Sequence, residues 1–175
     1  GAYGTGNLGD DLLLKAALSF HRSQPLSCEI KVVSYGQPFL SEKGIPLINH
    51  DDFVKSPEDF LSASSSLHFA GGGLFWAASH CQDMLKAAKA QKALGGEVHI
   101  ERIGCQGFHK DPSSVKDLLA IADTVTVRDE MSSRLLKDYN VCDKAIPSSD
   151  YALTLDISEI PRNKTSIPIV AINHS

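Results

Sequence analysis

The sequence predicts an α/β domain with a mostly parallel sheet and helices on both faces. Short apolar, β-branched runs alternate with longer amphipathic segments, which is the pattern of βαβ units. Glycine-rich turns stand where those apolar runs end, as they do at the carboxyl edge of open parallel sheets. The chain has 175 residues, 42% hydrophobic and 22% charged, enough to bury the core of one ordinary domain, or of one domain and the beginning of another.

The elements follow in order. Residues 1–10 form a glycine-rich turn, and such turns follow strands, so a short hydrophobic strand is expected ahead of Gly1. A helix starts near Asp10, because Leu12, Leu13, Ala16 and Ala17 share one face. Residues 30–33 read as a strand ended by Ser34-Tyr35-Gly36, and residues 46–48 as a second. A helical turn covers 57–61. A buried strand at 66–70 runs into Gly71-Gly72-Gly73. The helix over 80–94 keeps Lys86, Lys89 and Lys92 on its wet side and stops at Gly95-Gly96. Residues 98–103 alternate as a strand up to Gly104. A helix over 113–122, a strand over 124–127 and a helix over 130–139 complete the series. Crossovers between parallel strands are right-handed. The pattern changes after Asp156: residues 157–166 are polar, contain Pro161 and read as a linker. Residues 167–172 are a fresh apolar strand, so 167–175 reads as the start of a truncated second domain and 1–156 as the first.

Charge narrows the function. Lys+Arg is 17 and Asp+Glu 21, a formal net charge of −4. This balance offers no footprint for nucleic acid and no basic cluster for a membrane surface. The longest nearly apolar run, 69–78, is too short to span a bilayer, and no signal peptide opens the sequence. Cys28, Cys81, Cys105 and Cys142 show no CxxC spacing and read as reduced thiols of a cytoplasmic protein.

The candidate site residues lie on the turns. Gly4-Thr5-Gly6-Asn7-Leu8-Gly9 matches G-x-G-x-x-G, in which glycines let backbone approach a ligand and a helix N-terminus presents free N–H groups. Dinucleotide binding also needs an acidic residue ending the next strand, about 20 residues on. Glu29 lies at that strand's beginning instead. A plain strand-to-helix turn and an anion or polar-ligand site remain as readings. Asp10 would repel a phosphate held on the same N–H groups, so Asn7 and Asp10 suit a hydroxyl-bearing ligand at least as well. Gly71, Gly72 and Gly73 form either a sharp turn or a second place of backbone approach. Gly104-Cys105-Gln106-Gly107 stands at a third carboxyl end. Arg128 ends a fourth strand, as a fork for a carboxylate or phosphate or as the internal partner of Asp129, which would cap the next helix. His80 follows the triple glycine and reads first as a surface or packing residue. No His, Asp, Glu or Cys cluster has metal-ligand spacing, and no nucleophile-elbow motif or triad is present.

Taken in order, these motifs resemble the polysaccharide pyruvyl transferase family. The amino-terminal half of that family looks like G-x-x-G-x-G-N-x-G-D (Gly1 to Asp10 here), then a strand ending in GGG (Phe69 to Leu74) and a strand followed by a G-Q-G-type turn. A strand ending in T-V-R-D-x-x-S (Thr126 to Ser132) comes next. A short strand with Asp before an apolar pair closes the half, here Asp150-Tyr151-Ala152-Leu153. The resemblance spans roughly residues 1–155 and departs at Gly104-Cys105-Gln106-Gly107-Phe108-His109, which lacks the usual G-x-G-P continuation. It implies a Rossmann-like domain forming one half of a GT-B-like two-domain bacterial enzyme. It also implies transfer of a pyruvyl group from phosphoenolpyruvate to a sugar hydroxyl of a cell-surface or exopolysaccharide precursor, giving a ketal. The partners implied are a small-molecule donor and a sugar or polysaccharide acceptor, with no other cofactor and no metal. Substrate contacts then fall on Gly4, Gly6, Asn7, Gly9, Asp10, Gly71, Gly72, Gly73, Gly107, Arg128 and Ser132, with Arg128 gripping the donor's carboxylate or phosphate. No residue stands out as the general acid, and these residues alone are expected to be inactive because half the cleft lies in the second domain. The alternatives are a GT-B-like glycosyltransferase domain using a sugar nucleotide and a non-catalytic binding protein of the same fold.

Overall fold

The computed structural model describes residues 2–25, 29–38 and 44–155. The readings of 157–166 as a linker and 167–175 as the start of a second domain lie outside them, as does the strand expected ahead of Gly1.

The chain is α/β with parallel pairing throughout the described strands. Strands β1 (Val32–Ser34) and β2 (Leu47–Asn49) pair with Val33 opposite Ile48. Strands β3 (Ser66–Ala70), β4 (Glu97–Ile103), β5 (Thr124–Val127) and β6 (Ile146–Pro147) form a second sheet in that order, with His68 opposite His99 and Ile100 opposite Val125. Tyr3 ties the two sheets: its carbonyl accepts from the Tyr35 N–H at 3.0 Å, and its hydroxyl donates to the Ala70 carbonyl. Between β1 and β3 runs a cleft of about 670 Å³.

Helices cover both faces of the larger sheet. Val98, Ile100, Val125 and Val127 pack on Leu85 and Ala88 of α4 (Ala78–Ala93) and on Val115, Leu118 and Leu119 of α5 (Pro112–Ile121). Full burial of each such side chain is worth roughly 1.5–3 kcal/mol. The other face carries α1 (Leu8–Arg22), whose Ala16 and Ala17 pack against Tyr151 in a 3₁₀ turn, Tyr151–Thr154. Strict alternation would turn Arg102 into the core. A bulge between Ile100 and Ile103 prevents it: Arg102 takes φ +52°, its guanidinium stacks over Phe20 and Tyr151, and Ile103 enters the core instead.

Capping moves several boundaries. Helix α1 begins at Leu8 rather than near Asp10, because the Asn7 side chain accepts from the Gly9 N–H. The short α2 (His50–Lys55) carries no legible periodicity; Asn49 makes it by accepting from the Asp51 and Asp52 N–H groups. Helix α3 (Pro57–Leu61) follows with Pro57 at its first turn. The short closing strand is Ile146–Pro147, earlier than Asp150-Tyr151-Ala152-Leu153. Asp150 caps the 3₁₀ turn by accepting from the Ala152 N–H at 2.9 Å, which bends those residues out of the sheet. Helix α6 (Glu130–Asp138) starts on Asp129. No helix among the described residues is long and apolar enough to cross a membrane.

Candidate functional site

The first glycine turn is held by a residue that its motif does not single out. Asp11 is 1% exposed, and its carboxylate accepts from the Gly4 N–H at 3.0 Å. Gly4 sits at φ +75°, and a Cβ there would lie 2.3 Å from the Gly36 carbonyl oxygen, so the turn and the end of β1 interleave too closely for any side chain. Asn7 spends its side chain locally, accepting from Gly9 and donating to Asp10 Oδ2 at 2.9 Å. Gly6 faces open space.

The second turn lies against the first. A Cβ on Gly72, at φ +74°, would stand 3.2 Å from Asp10 Oδ1, and Gly71 packs on Leu13 and Tyr151. Gly71 donates to the Glu101 carbonyl and the Gly72 carbonyl accepts from the Gly104 N–H at 2.8 Å. Gly73, bridged to Gly104, is exposed with open space above it. The third turn locks on as well, with Gly107 against the Phe75 carbonyl.

Arg128 completes the edge. Its guanidinium lies over Gly104, where a Cβ would stand 2.8 Å from Cζ. It reaches Gln106 Oε1 at 3.3 Å, Asp129 Oδ2 at 3.4 Å and Asp150 Oδ2 at 3.5 Å, and keeps 28% of its side chain exposed. Asp129 also caps α6 by accepting from the Ser132 N–H at 2.6 Å. Burial opposes ionisation of Asp129, but the Ser132 N–H and hydroxyl and the Arg128 guanidinium outweigh it and hold the carboxyl below its usual range. Ser132 is buried, and its hydroxyl accepts from the Cys105 N–H at 3.2 Å, so it supports the third turn from beneath. Burial pushes the Cys105 thiol up to about 12 and leaves it inert.

The contacts therefore run without a break from Asn7 to Asp10, Gly72, Gly104 and Arg128, along the carboxyl ends of the strands. Arg128 is paired internally, as its second reading expects, and keeps part of its side chain exposed.

A second feature escapes motif reading. Tyr35 stacks on His50 at 4.0 Å, His50 stands 6.3 Å from His80, and His80 stacks on Trp76 at 5.2 Å. This row runs from the residue beside Gly36 to the loop after Gly73. Trp76, the single tryptophan, is 53% exposed. Burial brings the His80 pKa down to about 4, and its Nδ1 is buried without a hydrogen-bond partner. Tyr35 and His50 are far in sequence from Trp76 and His80, so although His80 was singled out after the triple glycine, no spacing motif marks the row. Metal-ligating side chains do not gather at this edge among the described residues. They gather on the far face of the sheet, at His21, His68 and Glu101.

No curated protein and no solved structure matches the chain. Residues 7–174 match the sequence model of one family, described as Polysaccharide pyruvyl transferase. The match begins at the Asn7 cap, after Gly4 and Gly6, and takes in the triple-glycine turn, the Gly104–Gly107 turn and Arg128, so the chain belongs to the polysaccharide pyruvyl transferase family.

Proposed function

We propose that the chain forms the amino-terminal, donor-gripping half of a GT-B-like cytoplasmic enzyme that moves the pyruvyl group of phosphoenolpyruvate onto a sugar of a cell-surface polysaccharide precursor. The observation that carries this reading is the unbroken edge from the α1 amino end to Arg128. Phosphoenolpyruvate presents a carboxylate and a phosphate, and a guanidinium at a strand end is suited to pair with either. The present partners of Arg128 lie at 3.3–3.5 Å, the long limit of hydrogen bonding, so a closer anion can displace them at small cost. Exposed Gly73 leaves room for backbone approach. Gly4, Gly72 and Gly107 shape the turns, and Ser132 positions the third from below. The acceptor sugar ring would lie against Trp76, whose face offers the apolar contact that sugar C–H groups favour.

The chemistry balances as follows. A general acid protonates the methylene carbon of the donor, and one acceptor hydroxyl adds to C2. The C2–O bond to phosphate breaks, and a second hydroxyl closes the ketal, both hydroxyl protons being lost. Cationic side chains stabilise the departing phosphate. No residue of this half is assigned the acid, and positioning by the opposite domain is required for useful turnover.

The test supplies phosphoenolpyruvate with candidate acceptor oligosaccharides to the full-length enzyme. Phosphate release that depends on acceptor, with a ketal on the product by mass spectrometry, supports the reading. Release of nucleotide from a sugar nucleotide, with none from phosphoenolpyruvate, overturns it.

A further inference from the structure

We propose that His21, His68 and Glu101 form a Zn²⁺-type site on the face of the sheet opposite the α4–α5 core, clamping the carboxyl end of α1 to β3 and β4. The three residues come from three elements and are 33 to 80 positions apart in sequence, so no spacing motif marks them. His21 Nε2 lies 2.9 Å from Glu101 Oε2, and His68 Nδ1 lies 3.0 Å from Glu101 Oε1. The prospective ligand atoms all fall within 4.8 Å of one another. Ligand atoms around tetrahedral Zn²⁺ stand about 3.3 Å apart, given bonds of about 2.0–2.2 Å, so the two His–Glu contacts must open slightly and the cluster, no wider than 4.8 Å, close around the ion.

The surroundings fit a metal set. The second nitrogen of His68 is held by Ser66 Oγ at 2.8 Å, and Tyr151 donates to Glu101 Oε2 at 2.7 Å. These are the outer contacts that orient ligating imidazoles and carboxylates. The adjacent His99 stacks on His68 at 4.6 Å, yet its own nitrogens are taken by Thr124 Oγ1 and Glu97 Oε2, so it is not a ligand. Two imidazoles with one carboxylate favour Zn²⁺ over Mg²⁺ or Ca²⁺. His21 and His68 line the 670 Å³ cleft, which leaves a fourth position for water.

The His21 end of the site is far from the first glycine turn, whereas Glu101 adjoins the second, its carbonyl accepting from the Gly71 N–H. His21 lies 13 residues past the start of α1, about 20 Å along the helix. Metal there would act by fixing the helix whose other end carries the first glycine turn, and the inference stands apart from the proposed reaction.

The test is calorimetric titration of the full chain with Zn²⁺, with Co²⁺ absorption as the probe of geometry. One Zn²⁺ per chain with Kd of about 1 μM or tighter is expected, together with a tetrahedral Co²⁺ spectrum and a Tm that rises with Zn²⁺ and falls back with chelator. Glu101→Gln and His68→Ala should each weaken binding at least about tenfold, while His109→Ala leaves it unchanged. Imidazole nitrogen resonances of the wild-type chain supply a readout that needs no variant: Zn²⁺ should shift His21 and His68 first among the seven histidines. Absence of one-to-one binding below about 100 μM overturns the proposal and leaves a hydrogen-bonded tie. Binding that survives both variants, or resonance shifts spread over other histidines, overturns it equally.

Discussion

Arg128 is the residue that tests the proposed reaction most directly. Loss of charge-assisted hydrogen bonds costs about 1.5–3 kcal/mol. Arg128→Ala should therefore lower kcat/KM for phosphoenolpyruvate roughly ten- to a hundredfold in the full-length enzyme. Arg128→Lys should fall between, because a point charge replaces a planar fork. Thermal unfolding of the same variants separates this from the Asp129 and Asp150 pairings: an early-melting variant with unchanged kcat/KM would remove Arg128 from the site. Trp76→Ala should raise the acceptor KM severalfold and leave the donor KM alone, since the ring is exposed and stacks on His80 rather than on Arg128. Equal effects on both substrates would exclude the stacking role. His80 sets a pH dependence. Its folded pKa, about 4, lies below the ordinary 6.5, so the unfolded chain binds more protons between those values. Its contribution to stability is complete above pH 6.5 and is lost as pH falls toward 4, the nearby charge of His50 adding to the effect. Denaturant midpoints should slope less steeply over that window in His80→Phe than in wild type.

At the scale of elements, helix α1 carries the first glycine turn at one end and His21 at the other. Asn7 caps it, Asp10 and Asp11 sit in its positive first turn, and His21 and Arg22 in its negative last turn. Its packing on the triple-glycine turn leaves little room at Gly72, where φ is +74° and Asp10 Oδ1 is 3.2 Å from a prospective Cβ. Gly72→Ala should cost about 1–3 kcal/mol of stability through strain at positive φ. It should also disturb the turn's register with Gly104; denaturant unfolding measures the first and donor KM the second. The short elements show where local reading stops. Residues 66–70 and 124–127 take the bounds that the sequence predicts, but only the second is an inner strand; β3 ends its sheet and is half-buried, with His68 exposed, rather than buried as expected. Helix α2 and strand β6 were illegible, since six and two residues carry no period and are fixed by a cap and by an edge pairing.

The molecule as a whole is one parallel scaffold that gathers glycine turns at a single edge. Leu118 is fully buried in α5 and belongs to the same core cluster as Leu74, Phe75, Cys105 and Phe108 beneath the turns, but it offers no polar group to that edge. Leu118→Ala should cost about 2–5 kcal/mol by cavity formation, yet leave KM for the donor unchanged where the protein remains folded. A shifted KM at unchanged stability would mean that core and edge are mechanically coupled. The sequence by itself determined the α/β class, the parallel sheet, most helices and the family, because hydrophobic period and glycine placement are local properties written residue by residue. It also marked Arg128 and the three turns, since each follows a legible strand. Tertiary structure alone decided that Asp11 rather than Asp10 anchors the first turn and that Ser132 faces inward. It also sent Ile103 into the core in place of Arg102, and brought Tyr35, His50, His80 and Trp76 into one row and His21, His68 and Glu101 around one point. These facts depend on which face a side chain takes and on which distant strand lies beside it, and packing sets both only after the sheet has closed.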